Sequence, residues 1–290
     1  MIDIRRRTLI LGGVGLALGA ATGGLVAVEA ELLPGRARLR AGLGLTGANG
    51  KIPDVPPATV TARTHLSRAR AREVNLITIA PAETPPGGLP VCVALHGRSG
   101  NATSFVGLGL PQFLTAAVRA GVPPFVLASV DGGDATYWHE RTPGDDPMAM
   151  LLTELPGWLA ARGFQGTPRA AIGVSMGGSG VLRYGRLRHG ELAAVAAVSP
   201  ALFPTWSDAR TVGAYADEAS WARHEPLRHL DEPIARRTGV WCGEDDPFHD
   251  PALRLAKVAA VAEFAPGLHT GGYWRRIMPD VLAFLGRSFG

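Results

Sequence analysis

From Thr59 onward the chain alternates short apolar runs with stretches of helical periodicity. Glu73-Val-Asn-Leu-Ile-Thr-Ile79 alternates apolar and polar positions and predicts a half-buried strand. Residues 90–95, 125–130, 170–174, 193–198 and 239–242 are nearly continuous apolar runs, as expected of strands covered on both faces of a parallel sheet. Between them, Met148, Leu151, Leu152, Leu155 and Leu159 recur at helical spacing, with Pro156 placed to kink the segment. Asp250-Pro251 reads as an N-cap and first-turn proline for a helix over 252–258. Trp274, Ile277, Met278, Val281, Leu282 and Leu285 form one apolar stripe on a C-terminal helix. Strands and helices in this alternation specify an α/β three-layer sandwich with a mostly parallel central sheet, one domain over 59–290.

The first 58 residues follow other rules. Arg5-Arg6-Arg7 precede an uncharged, glycine-rich stretch that ends at Val28. A twin-arginine pair before a weakly apolar segment is the pattern of a bacterial twin-arginine export signal, and three arginines oppose the dipole of a helix starting there. Residues 1–30 are therefore expected to be an export signal or, being just long enough to span a bilayer, an uncleaved anchor. The chain is expected in the periplasm, cell envelope or medium, associated with a membrane if the segment stays. Residues 31–58 mix Pro, Gly and Arg without periodicity and read as a linker or draped arm.

Composition narrows the function classes. The chain is 46% hydrophobic and 19% charged, which excludes disorder. Its net charge of +4 comes from dispersed arginines, a basic surface without the dense stripe that binds nucleic acid. Cys92 and Cys242 lie on central strands and read as buried thiols, and no Cys-x-x-Cys pair offers a metal site.

In open α/β sheets, chemistry gathers beyond the carboxyl ends of the strands. After the 170–174 run stands Gly173-Val174-Ser175-Met176-Gly177, a Gly-x-Ser-x-Gly motif between strand and helix. Its glycines let a tight turn lift the Ser175 hydroxyl above the sheet, which makes Ser175 the candidate nucleophile. After the Val91–Leu95 run comes His96-Gly97-Arg98-Ser99-Gly100. The backbone N–H groups of Arg98 and Met176 are the expected oxyanion donors, and His96 reads as structural. Gly243-Glu244-Asp245-Asp246-Pro247 follows the 239–242 run. Asp246 is the expected triad acid, with Asp245 the alternative. His269 follows in a loop before the last helix, completing the order Ser, Asp, His. His65, His139, His189, His224, His229 and His249 lack that setting and read as surface or pocket residues. This chemistry calls for no cofactor and no metal: His269 takes the Ser175 proton, and an acyl-enzyme forms and is released.

These stretches resemble the putative-esterase branch of the α/β-hydrolases, which contains esterase D and the antigen 85 mycolyltransferases. The likeness runs over about 65–288 and is carried by Leu151–Leu159, Ala170–Gly178, Trp241–Gly243 and His269–Trp274. It implies a serine hydrolase acting on carboxylic esters, with Ser175 and His269 as nucleophile and base. At the acid, esterase-D-like members place an Asp at the 245–246 pair, whereas antigen 85 places a Glu near His249-Asp250. His96-Gly97-Arg98-Ser99 replaces the Asp-Gly-Leu-Arg that mycolyltransferases use for trehalose, and Thr270 replaces the Trp after the catalytic His, so the resemblance favours hydrolysis of a small-molecule or lipid acyl ester. An envelope acyltransferase and a non-catalytic scaffold are the alternatives. The aromatic segments 131–138 and 203–235 stand either as pocket walls or as packing outside the sheet.

Overall fold

The computed structural model describes residues 35–289 apart from Glu83 and Pro86. The export segment expected at 1–30 lies outside the described residues. In chain order the elements are α1 (Arg36–Gly42), β1 (Thr59–Ser67), β2 (Arg72–Ala80), β3 (Val91–Leu95), α2 (Ser104–Leu108), α3 (Leu110–Arg119) and β4 (Val126–Val130). Then come α4 (Pro147–Ala149), a π-helical turn (Met150–Glu154), α5 (Leu155–Ala160), β5 (Ala170–Val174), α6 (Met176–Leu187) and β6 (Ala194–Val198). The last third holds α7 (Trp206–Thr211), α8 (Glu218–His224), a 3-10 turn (Pro226–Arg228), β7 (Arg237–Gly243), α9 (His249–Ala256), β8 (Val261–Ala265) and α10 (Gly271–Arg287).

The eight strands form one sheet in the order β1-β2-β4-β3-β5-β6-β7-β8. β1 pairs antiparallel with β2 and β2 antiparallel with β4; every other pairing is parallel. The runs that were apolar throughout are the central strands: every residue of β3, β4, β5 and β6 is buried. One face of the sheet packs on α2, α3 and α10 through Phe105, Phe113, Leu114, Met278, Val281 and Leu282. The other packs on the π-turn segment, α6 and α9 through Met150, Leu155, Val181, Tyr184 and Leu255. Cys92 and Cys242 are buried free thiols, and burial pushes both well above the ordinary thiol pKa.

Two elements differ from the sequence reading in detail. The 148–159 helix is interrupted by the π-helical turn that ends two residues before Pro156, whose missing N–H cannot continue the i→i−4 ladder. Helix α9 begins at His249 with Phe248 at its N-cap, so Asp250 sits inside the first turn and is not the cap.

The segment before β1 lies on the domain by specific contacts. Gly50 N–H donates to the Gly272 carbonyl (2.8 Å) at the start of α10, and Arg276 Nη1 donates to the Ala48 carbonyl (2.8 Å). Arg40 from α1 reaches Asp245 beyond β7.

Candidate active site

The turn between β5 and α6 has the geometry that Gly-x-Ser-x-Gly anticipates. Ser175 holds φ 57° and ψ −119°, a strained backbone for a residue with a side chain. The strain is held from both sides: Ser175 N–H donates to the Val198 carbonyl (2.9 Å), and the Ser175 carbonyl accepts from Ala201 N–H (3.0 Å). A Cβ at Gly173 would collide with the Gly177 carbonyl, and one at Gly177 with the Leu95 carbonyl. Only glycine lets β3, β5 and α6 approach this closely.

Three side chains from three strand ends meet above this turn. His269 Nε2 lies 2.9 Å from Ser175 Oγ, and His269 Nδ1 lies 2.8 Å from Asp246 Oδ2. Asp246 is buried, and its other oxygen accepts the N–H of Phe248 (2.9 Å), so the carboxylate is fixed before it meets the imidazole. The acid loop and the histidine loop are themselves joined, since Asp245 N–H donates to the Gly267 carbonyl (2.9 Å). Asp245, the alternative acid, points elsewhere and pairs with Arg40 at 2.8 Å.

Aromatic edges complete the imidazole's surroundings. The rings of Trp274 and Phe248 stand edge-on to His269 at 5.2 and 5.5 Å between centroids. Trp274 is anchored in turn by Nε1–H donating to Ser199 Oγ (3.1 Å). Neither ring was singled out for this role by sequence pattern. Their positions, two residues after Asp246 and five after His269, are the signal that was there to read.

His96 is buried and structural in its contacts. Its Nδ1 lies 2.8 Å from the Gly97 carbonyl, while Nε2 accepts the N–H of Gly132 (2.9 Å). Burial lowers its pKa, which suits the neutral tautomer those two bonds require. The following loop passes over the nucleophile: a Cβ at Gly97 would sit 3.3 Å from Ser175 Cβ. Ser99 N–H is held by Asp134 (2.8 Å) and Ala102 N–H by Asp131 (2.8 Å). Arg98 follows Gly97 in this loop, and Met176 opens α6 directly after Ser175.

His139 departs from the surface-or-pocket reading. It is fully buried in the core, stacked between Tyr215 and His224 with ring centroids 5.1 and 4.7 Å away. Burial lowers the pKa of both His139 and His224, the latter to about 3. His65 stacks on Trp158 (4.6 Å), and His249 pairs with Asp250 (3.0 Å).

Ser175 and His269 open on a cleft of about 590 Å³. Its apolar wall comes from Phe105, Leu108, Tyr137, Val212, Phe248 and Trp274. The two aromatic segments thus divide: Tyr137 and Val212 reach the cleft, whereas Tyr215 and Trp221 are buried in the core. The α2 wall was not foreseen, because nothing in Phe105 or Leu108 distinguishes a cleft residue from a core one.

An eight-stranded, mostly parallel sheet with a serine on a strained β5–α6 turn and an aspartate-bound histidine beside it defines an α/β-hydrolase. Residues 67–284 match the family model described as "Putative esterase", and the chain belongs to that family. It is 30% identical over 117 residues to the diacylglycerol acyltransferase/mycolyltransferase Ag85A of Mycobacterium tuberculosis, a match that covers 34% of this chain and spans only 35% of that relative's length. Among solved structures, a ferulic acid esterase superposes with a TM-score of 0.69 at 19% identity, covering 81% of this chain and 99% of the other. The S-formylglutathione hydrolase FrmB from Staphylococcus aureus does so with a TM-score of 0.63 at 16% identity, covering 79% and 99%.

Proposed function

We propose that this protein is a serine carboxylic ester hydrolase working through a Ser175–His269–Asp246 triad. The carrying observation is the continuous hydrogen-bonded line from Asp246 Oδ2 through His269 to Ser175 Oγ, ending on a strained turn inside a cleft. In the reaction His269 Nε2 takes the hydroxyl proton as Ser175 Oγ bonds to the acyl carbonyl carbon. The carbonyl oxygen becomes an oxyanion, stabilised by the backbone N–H groups of Arg98 and Met176. His269 then gives the proton to the leaving alcohol, the C–O bond breaks, and an acyl-Ser175 ester remains. A water enters and its oxygen bonds the acyl carbon as His269 takes its proton; His269 then returns that proton to Ser175 Oγ as the Oγ–C bond breaks and the carboxylic acid leaves. Asp246 keeps Nδ1 protonated and offsets the imidazolium charge throughout.

The alternative acceptor is an alcohol in place of water, a reading favoured by the stretch shared with Ag85A, whose name describes an acyltransferase. Export or membrane anchoring is part of the proposal and rests on Arg5-Arg6-Arg7 and the glycine-rich stretch after them. Among the described residues no helix is long and apolar enough to cross a membrane.

The test is fluorophosphonate labelling of the purified protein beside Ser175→Ala and His269→Ala, with p-nitrophenyl acetate, butyrate and decanoate turnover in parallel. Labelling and turnover lost in both variants support the reading. A folded wild type that neither labels nor turns over any ester overturns it. Product analysis with added glycerol or sugar separates hydrolysis from transfer.

A further inference from the structure

The cleft that holds Ser175 is lined by two arginines, Arg98 and Arg275, and by no carboxylate. Arg275, half-buried on α10, donates from Nε to the Leu108 carbonyl (3.2 Å) and from Nη2 to the Gly107 carbonyl (3.4 Å). Arg98, exposed on the loop after β3, donates from Nη1 to the Val212 carbonyl (3.3 Å). These partners aim each guanidinium but neutralise neither, and a guanidinium has five donors to place. Among the described residues neither cation has a carboxylate at ion-pair distance. Asp246 is bound to His269, and Asp134 accepts the amide of Ser99.

Two cations without an ion-pair partner on the wall of a largely apolar cleft raise the positive potential where the substrate must lie. A half-buried guanidinium is ordinarily paired, and at Arg275 the wall supplies the fork but not its counterion, with the exposed Arg98 a second cation on the same wall. We infer that the substrate supplies it: the cleft selects esters that carry an anionic group, a carboxylate or phosphate, within reach of Arg98 and Arg275. The inference rests on the ester-hydrolase reading of the same site. The apolar wall of Phe105, Leu108 and Trp274 adds that the rest of the substrate is a compact apolar or aromatic body. A neutral ester leaves both cations without a partner and loses the corresponding attraction.

The test compares kcat/KM for two matched pairs on the full chain. On the acyl side these are mono-p-nitrophenyl succinate and p-nitrophenyl butyrate; on the alcohol side, 3-acetoxybenzoate and 3-acetoxybenzamide. The expected result is an anionic-over-neutral preference of about tenfold or more in one pair, shrinking as ionic strength rises from about 0.05 to 0.5 M. In Arg275→Gln that ratio falls about tenfold, and Arg275→Lys retains part of it. A role for Arg275 confined to capping the carbonyls at the end of α2 lowers both members of a pair alike. An unmoved ratio, or no preference in either pair from an enzyme that labels with fluorophosphonate, overturns the inference while leaving the hydrolase reading intact. A chain that does not label overturns both.

Discussion

Asp246 meets the imidazole of His269 at 2.8 Å, while its neighbour Asp245 turns away to Arg40 at the same distance. Adjacent carboxylates thus serve different loops, because successive side chains after β7 leave the backbone in different directions. Asp246→Asn is expected to lower kcat by about three to four orders of magnitude, since an amide cannot hold Nδ1 protonated in the same way. Asp245→Asn is expected to cost less than about tenfold. Stopped-assay kinetics with p-nitrophenyl acetate check both; equal losses would assign the acid wrongly.

The central strands and the nucleophile turn were legible because their causes are local. A run such as Val91–Leu95 admits few structures besides a doubly covered strand, and Gly173 and Gly177 announce a turn that only glycine allows. Edge strands were not legible. In β1 most residues are exposed, and β8 is five residues with none buried, so neither carries a burial pattern. Asp246 was already the expected acid, but what occupies Asp245, the side chain of Arg40 205 residues away, is not encoded in sequence spacing. The cleft wall was hidden for the same reason: Leu108 and Trp274 meet only through the packing of α2 and α10.

Two glycine substitutions separate close approach from mere flexibility. Gly177→Ala drives a methyl into the Leu95 carbonyl, a backbone atom of a central strand that cannot yield. A loss of at least about 3 kcal/mol, or failure to fold, is expected. Gly157→Ala, in α5 with nothing within 4 Å of the new methyl, is expected to stabilise by about 0.5–1 kcal/mol. Urea unfolding midpoints decide, and a harmless Gly177→Ala contradicts the geometry of the turn.

The arm should matter to stability through one ion pair. The Asp245 side chain is wholly buried and that of Arg40 is 16% exposed, so removing the cation strands a charge out of water. Arg40→Met is expected to destabilise by about 3 kcal/mol, and adding Asp245→Asn should recover much of that loss. A double-mutant cycle by urea unfolding measures the coupling. A coupling near zero would mean that the arm contributes nothing through this pair.

Glu225 gives the fold a pH dependence whose direction is fixed by burial. It is wholly buried within the 203–235 segment, where Tyr215 O–H donates to Oε2 (3.0 Å) and Leu227 N–H to Oε1 (3.2 Å). Those bonds favour the carboxylate, but desolvation outweighs them and raises the pKa from 4.5 to about 8. Between these two values the folded chain binds more protons at this site than the unfolded chain does. Stability from this group is therefore fully present below pH 4.5 and declines as pH rises to about 8, by a few kcal/mol at most. His139, stacked on Tyr215, and His224, stacked on His139, work oppositely: burial lowers their pKa, and they destabilise the fold only as acid charges them. Glu225→Gln keeps the size and an acceptor for Leu227 while removing the proton. The variant should gain on the wild type in melting temperature steadily from pH 5 to pH 8 and no further above it. A wild-type minus variant difference that stays flat across that window would show that Glu225 does not hold its proton in the folded chain.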